Sequence, residues 1–257
     1  MTDDTQQPDP DASTARDAPD VVVVGGGVAG LSAAVFTARH GLETTVLDSG
    51  ESILRRNAHL ENFPGFPAGV NGRHLLDLLG EQAAEAGCEQ VTATVASVGT
   101  TDGGLVVHTD TGDRYRAAYV VAATKNAVGY LEDVDGVGII DRGKAFVDTD
   151  ERGRTGVDGL YAAGRLAEKP HQAAVCAGHG AEVGVTILED DDRPFYHDWV
   201  TPEGYFTDRG RDLPPGCEEV DEAERADREA RSLDVMRERF AEPHPDDQVT
   251  HPSLGED

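Results

Sequence analysis

Residues 21–50, VVVVGGGVAGLSAAVFTARHGLETTVLDSG, constrain the chain more than any other stretch. Four valines run into Gly25, Gly27 and Gly30, and helix-forming residues follow at once. This is the pattern of a strand, a tight turn and a helix. The first glycine permits the turn, the second lets backbone approach a pyrophosphate, and the third lets helix and strand pack closely. The amides of Val28 and Ala29 then open a helix N-terminus toward the phosphates. A second apolar strand, Thr44 to Leu47, ends in Asp48, where a carboxylate can accept hydrogen bonds from an adenosine ribose. Ala34 and Gly41 extend the small-residue pattern along the helix. The unit is expected to bind a dinucleotide.

Charge narrows the partners. The sequence has 49 acidic and 22 basic residues, a formal net charge of −27, and only three lysines, Lys125, Lys144 and Lys169. Such a surface repels nucleic acid and anionic membrane, so neither is expected as a partner. Acidity with arginine preferred to lysine resembles proteins of salt-accumulating halophiles of the haloarchaeal type, and implies poor stability at low salt. Cys88, Cys176 and Cys217 are odd in number, widely spaced and form no CxxC, which argues against a disulfide framework, a zinc site or a redox dithiol. The expected compartment is reducing cytoplasm. No apolar run approaches the roughly twenty residues that span a bilayer, and no basic-then-apolar signal pattern opens the sequence. Scattered histidines show no metal-ligand spacing, so no metal is assigned.

Three regions follow from composition. Residues 1–20 read as a disordered acidic arm. Residues 21–190 read as the binding domain: an irregular loop, SILRRNAHLENFPGFPAGVNG, then an amphipathic helix over 72–87 through Leu75, Leu76, Leu79, Ala83 and Ala86. From Gln90 to Arg116, VTATVASV, LVVHTD and DRYRA read as an antiparallel meander. AYVVAAT, ending at Thr124, suits a strand buried on both faces of a parallel sheet. A short connection over 126–144, a strand at Ala145–Asp148 and another at Leu160–Ala163 come next, and Gly164 precedes a helix over His171–Leu188. Residues 191–257 read as an extension, with Phe195, Tyr196, Trp199, Tyr205 and Phe206 close together, a charged helix over 218–240, and a final polar segment expected to be disordered. The fold class is α/β: a doubly wound, Rossmann-like dinucleotide-binding domain with a central parallel sheet and an antiparallel meander, plus a helical and irregular C-terminal extension.

In this order the pieces resemble the flavin domain of the thioredoxin reductase family, over roughly residues 20–190. The resemblance is carried by GGGVAG with Asp48, ENFPGFP at Glu61–Pro67, AAT ending at Thr124, TGVDGLYAAG at Thr155–Gly164, and HQA at His171–Ala173. It implies FAD as cofactor, with Gly25 to Gly30 on the pyrophosphate, Asp48 on the adenosine ribose and Asn62 at the flavin edge. It also implies that the Gln172 and Ala173 amides face the pyrimidine carbonyl, where a helix N-terminus stabilises negative charge. A homodimer is likewise suggested by the resemblance alone.

The chain departs from the family in three ways. Where the family carries a second nucleotide domain, usually with a CxxC, only Lys125 to about Arg154 remain, and no second GxGxxG occurs. Gly164-Arg165 stands where the family usually has Gly-Asp on the ribityl chain, and Ala123-Thr124-Lys125 where it has Ala-Thr-Gly. Both put a cation near the expected phosphates. His171 could donate a proton or simply cap a helix, and Cys176 could reach the flavin or pack as a small apolar residue. No catalytic residue is assigned. The expected activity is that of an FAD-dependent oxidoreductase fed by ferredoxin, free NAD(P)H or a partner subunit. The competing expectation is an inactive FAD-fold binding or regulatory module, and a plain NAD-binding domain is a weaker third. The expected aromatic tail covers the face left bare by the missing nucleotide domain.

Overall fold

The computed structural model describes residues 18–254, so the acidic arm expected over 1–20 lies outside it except for the last three positions. Asp20 is held there, accepting a hydrogen bond from the Glu43 amide at 2.9 Å. In chain order the elements are β1 (Val21–Val24), α1 (Val28–Arg39), β2 (Thr44–Asp48), α2 (Gly72–Glu85), β3 (Glu89–Thr92), β4 (Val95–Thr101), β5 (Gly104–Thr109) and β6 (Arg114–Ala117). They continue with β7 (Tyr119–Ala122), β8 (Ile139–Asp141), β9 (Ala145–Val147), β10 (Leu160–Ala162), α3 (Ala173–Asp190), β11 (Trp199–Pro202), β12 (Cys217–Val220) and α4 (Glu222–Arg239).

The central sheet is parallel, in the order β10-β7-β1-β2-β3. The chain winds outward from β1 to β3, then returns to β7 on the other side of β1 and ends at β10. Because side chains alternate along a strand, Val21 and Val23 face α1, α2 and α3, whereas Val22 and Val24 face the β4-β5-β6 meander. Each strand of VVVV and YVVA is therefore buried on both sides, which is why both read as unbroken apolar runs. The stripe of small residues along α3 has a packing cause. A Cβ on Gly180 would lie 2.0 Å from the Ala29 carbonyl oxygen, so glycine there lets α3 press directly on α1.

Four expectations need correction. VTATVASV is not one meander strand: Glu89–Thr92 closes the parallel sheet beside β2, and the meander starts only at β4. The two segments have the same alternating pattern, and the turn at Ala93–Thr94 decides which sheet each joins. The connection over 126–144 contains β8, which pairs antiparallel with β9.

The aromatic tail does not cover the region of the missing domain. That region follows β7, at the C-terminal ends of the strands, whereas the tail docks at the opposite end. There Arg193 bonds Asp20 and the Gly41 carbonyl, Tyr196 meets His40 edge-on, and Arg39 pairs with Asp198. The reason is geometric: α3 runs antiparallel to the strands and delivers the chain to their N-terminal edge. Trp199, Tyr205 and Phe206 largely pack on one another.

The final polar segment is also not free. His244, with its side chain only 4% exposed, contacts Asp77 of α2, and the Val249 amide donates to the Arg55 carbonyl at 2.9 Å. Backbone and histidine contacts of this kind leave no apolar signature in sequence. Helix α4 has no buried residue and is tied to α2 through Arg231–Glu85 and Arg239–Glu81.

Candidate functional site

At the C-terminal ends of β1, β2 and β7 lies a cleft of about 670 Å³, within the range of small-molecule sites. Its floor is the turn after β1. Gly25 sits at φ +107, a conformation glycine tolerates, and a Cβ on it would be 2.9 Å from the Ala123 carbonyl oxygen. Gly30 backs onto the same turn, its would-be Cβ only 1.9 Å from the Gly25 oxygen. Gly27 differs: the nearest atom to its would-be Cβ is Ser52 Oγ at 3.7 Å, so a side chain there would project into the open cleft. Gly26, which the spacing argument passes over, is required for another reason. A Cβ on it would strike the Asp48 carboxylate at 2.7 Å, so its absence lets that carboxylate lean over the turn.

Two helices point their N-termini into this cleft. Helix α1 starts after Gly27 and α3 after Gln172; neither has a side-chain cap, and neither has an acidic residue in its first turn. Their leading amides and the positive ends of their dipoles are therefore left for a ligand. Gln172 Oε1 instead accepts a hydrogen bond from Asn62 Nδ2 at 2.9 Å, joining the loop after β2 to the start of α3. That loop is pinned from behind. Arg73, buried on α2, donates to the carbonyls of Arg55 and Asn57 at 3.3 and 3.1 Å.

Gly25, Gly27, Val28, Ala29, Asp48, Asn62, Thr124, Arg165, Gln172 and Ala173 all line the cleft. Gly30 and Gly164 do not; they shape it from behind. The Gly164 amide donates to His179 Nδ1 at 2.9 Å, and a Cβ on Gly164 would meet Ala29 Cβ at 2.6 Å. His179 carries no sequence signal, because a histidine within an Ala- and Gly-rich helix has no motif. Burial pushes it down to about 4, with Lys169 nearby acting in the same direction. Tyr130 also lines the cleft, within hydrogen-bonding distance of Thr124 Oγ1 at 2.9 Å, and burial raises its hydroxyl pKa.

Lys125 and Arg165 bring positive charge to the same walls, where His171 also sits. Lys125 sits at φ +64, where glycine would be unstrained. Burial lowers its pKa, and Arg56, Lys144 and Arg165 add to the effect. His171 is lowered by burial and then by Lys125, Arg165 and Lys144, so near neutral pH its ring is largely uncharged. Arg165 does not block the cleft. Its guanidinium donates to the Lys169 carbonyl at 3.0 Å and lies 4.7 Å over the Phe146 ring. Cys176 is buried, its thiol is raised mainly by that burial, and Sγ lies 3.5 Å from the Pro170 carbonyl oxygen. It behaves as a packed thiol.

Free amides, the space beside Gly27 and the carboxylate of Asp48 fit a dinucleotide diphosphate and its ribose. The chain matches the family described as FAD binding domain over residues 20–59. It is 35% identical over 107 residues to a thioredoxin reductase of Aquifex aeolicus, covering 41% of this chain and 33% of that protein. It is 36% identical over 115 residues to a bifunctional thioredoxin reductase/thioredoxin of Mycobacterium leprae, covering 44% and 25%. The chain thus matches about a third or less of the length of these relatives. Among solved structures, a thioredoxin reductase from Gloeobacter violaceus aligns with a TM-score of 0.64 at 18% identity, over 71% of this chain and 98% of that one. The thioredoxin reductase of T. acidophilum aligns at 0.56 and 19%, over 67% and 98%. Site geometry, sequence match and fold together make this chain an FAD-binding protein similar to the thioredoxin reductases.

Proposed function

We propose that this protein is an FAD-dependent oxidoreductase whose electrons come from outside the chain: from ferredoxin, from free NAD(P)H or from a partner subunit. The convergence of two uncapped helix N-termini, α1 and α3, in one cleft carries the reading. The α1 amides and Gly25 to Ala29 would hold the pyrophosphate with Gly30 behind them, Asp48 the adenosine ribose, and Thr124 and Arg165 the segment between, with Gly164 behind it. Asn62, Gln172 and Ala173 would hold the flavin edge. When bound, FAD supplies the electron transfer itself. The chain's contribution is to orient it and, through the α3 N-terminus, to favour negative charge at the ring edge. The neutral His171 at this edge is suited to accept a proton rather than to donate one.

The visible spectrum of purified protein, before and after FAD and then NADPH without oxygen, tests this reading. A flavin band that bleaches with NADPH supports a diffusing nicotinamide. A band that stays oxidised directs the search to ferredoxin or a partner chain. Failure to take up FAD would overturn the proposal in favour of a second reading, an inactive FAD-fold binding or regulatory module. That second reading draws on Arg165 in place of an acid and on the three cysteines, all free, with Cys88 and Cys176 buried.

The reading extends to a chain organised as a binding domain over 21–190 and an extension over 191–257. It includes reducing cytoplasm as the compartment, in keeping with those free cysteines, and a homodimer. No helix among the described residues is long and apolar enough to cross a membrane.

A further inference from the structure

Arg39, Arg152, Arg154 and Arg228 each pair with a carboxylate. Four cations at the cleft mouth do not. Arg56, Lys125, Lys144 and Arg165 have no carboxylate within ion-pair distance among the described residues, although acidic side chains outnumber basic ones 49 to 22. The fold gathers them. Asn126 Nδ2 donates to the Ala145 carbonyl at 3.0 Å, which sets Lys125 beside the hairpin turn carrying Lys144. Arg165 stacks on Phe146 of the same hairpin. Arg56 ends the short helix Ile53–Arg56, between the lining residues Leu54 and Asn57, and its charge acts on Lys125.

Like charges held together without counter-charge raise the energy of the free protein, and Lys125 adds backbone strain. An anionic ligand would offset both. Its size follows from the spread of the charges. Lys125 and Arg165 line the cleft, whereas Arg56 and Lys144 lie outside its lining. The FAD phosphates can reach the inner pair only, which leaves Arg56 and Lys144 at the rim for an acidic protein surface. Val175, 42% exposed in the first turn of α3, offers an apolar side chain on the helix whose N-terminus enters the cleft. The surrounding surface, at net −27, repels an acidic partner, so a cationic mouth would also fix its orientation.

We propose that the rim formed by Arg56, Lys125, Lys144 and Arg165 is the docking surface for a small acidic electron-carrier protein. This rests on the oxidoreductase reading above, since a carrier has a purpose only beside a bound flavin.

The test titrates the FAD-loaded full chain by calorimetry with a plant-type [2Fe–2S] ferredoxin as the acidic probe, and with serum albumin, acidic but without a redox centre, as control. Titrations run in about 0.1 M and about 1 M salt, where the screening length falls from about 10 to 3 Å. The expected result is saturable ferredoxin binding, weaker in high salt, absent with albumin, and weakened about tenfold or more by Arg56→Glu or Lys144→Glu. Arg56→Gln and Lys144→Gln should give smaller losses, and thermal melts identify any variant that fails to fold. No ferredoxin binding, equal binding of albumin, or binding indifferent to all four substitutions would overturn the proposal. So would displacement of ferredoxin by NADPH with NADPH affinity falling in the same variants, which would make the rim a nucleotide site. Flavin absorbance is read in every sample. Its absence from the unsubstituted chain would sink the oxidoreductase reading, whereas flavin present without docking sinks only this one.

Discussion

At the residue scale, Gly27 is the position where the cofactor cleft and the fold can be separated. Its would-be Cβ meets nothing of the protein closer than 3.7 Å, so Gly27→Ala should fold, at a cost near that of replacing a helix N-cap glycine. The methyl would occupy the space a diphosphate needs. We expect FAD affinity to fall about tenfold or more, about 1.4 kcal/mol, with little change in melting temperature; flavin retention on gel filtration checks this. Gly30→Ala should instead unfold the turn, because its Cβ would collide with the Gly25 carbonyl.

His179 supplies a second prediction at this scale. It is buried, and its pKa in the folded protein, about 4, lies below the ordinary 6.5. The unfolded chain therefore binds the proton more tightly. The stability linked to His179 is fully present above pH 6.5 and is lost as pH falls from 6.5 toward 4, amounting to up to about 3 kcal/mol. Unfolding midpoints measured across that window should fall with acid, and His179→Gln should flatten the slope. An unchanged slope would show that other groups carry it.

At the element scale, one carboxylate organises the β11–β12 ribbon. Glu219 accepts from the amides of Gly204 and Thr207 at 3.0 Å each, from the Phe206 amide, and from the Thr207 hydroxyl at 2.7 Å. These hydrogen bonds hold its pKa down to about 2. Glu219→Gln should speed hydrogen exchange at 204–207 and shift Trp199 fluorescence at lower denaturant, with no effect on flavin retention. Loss of flavin in that variant would mean that the ribbon reaches the site after all. The tail's attachment makes the same point from its other end. Tyr196→Ala removes the edge contact with His40 and should lower stability by about 1–2 kcal/mol while leaving FAD affinity intact, because the contact lies at the far ends of the strands.

At the scale of the whole molecule, a net charge of −27 on 257 residues sets the response to salt. Self-repulsion is screened as the Debye length falls from about 10 Å at 0.1 M to 3 Å at 1 M, so the melting temperature should rise between those concentrations. A flat or falling profile would contradict the halophilic reading.

The sequence by itself determined the β1-α1-β2 unit, the buried β7 and β10 strands, the glycine turn and the acid after β2. Each is a local pattern whose chemistry is written in consecutive residues: an apolar run, a glycine at a fixed interval, a strand end. The start of α3 was legible for the same reason. Only the tertiary structure decided which sheet the Glu89–Thr92 strand joins, where the aromatic tail docks, and that Gly26, Arg73, Tyr130 and His179 shape the cleft. These depend on contacts between segments far apart in the chain. A strand's neighbour is set by the turn that precedes it, and a tail's docking face by the direction in which the last helix releases it. The unpaired cations at the cleft mouth belong to the same class: each is an ordinary basic residue until folding places it beside the others with no carboxylate in ion-pair distance.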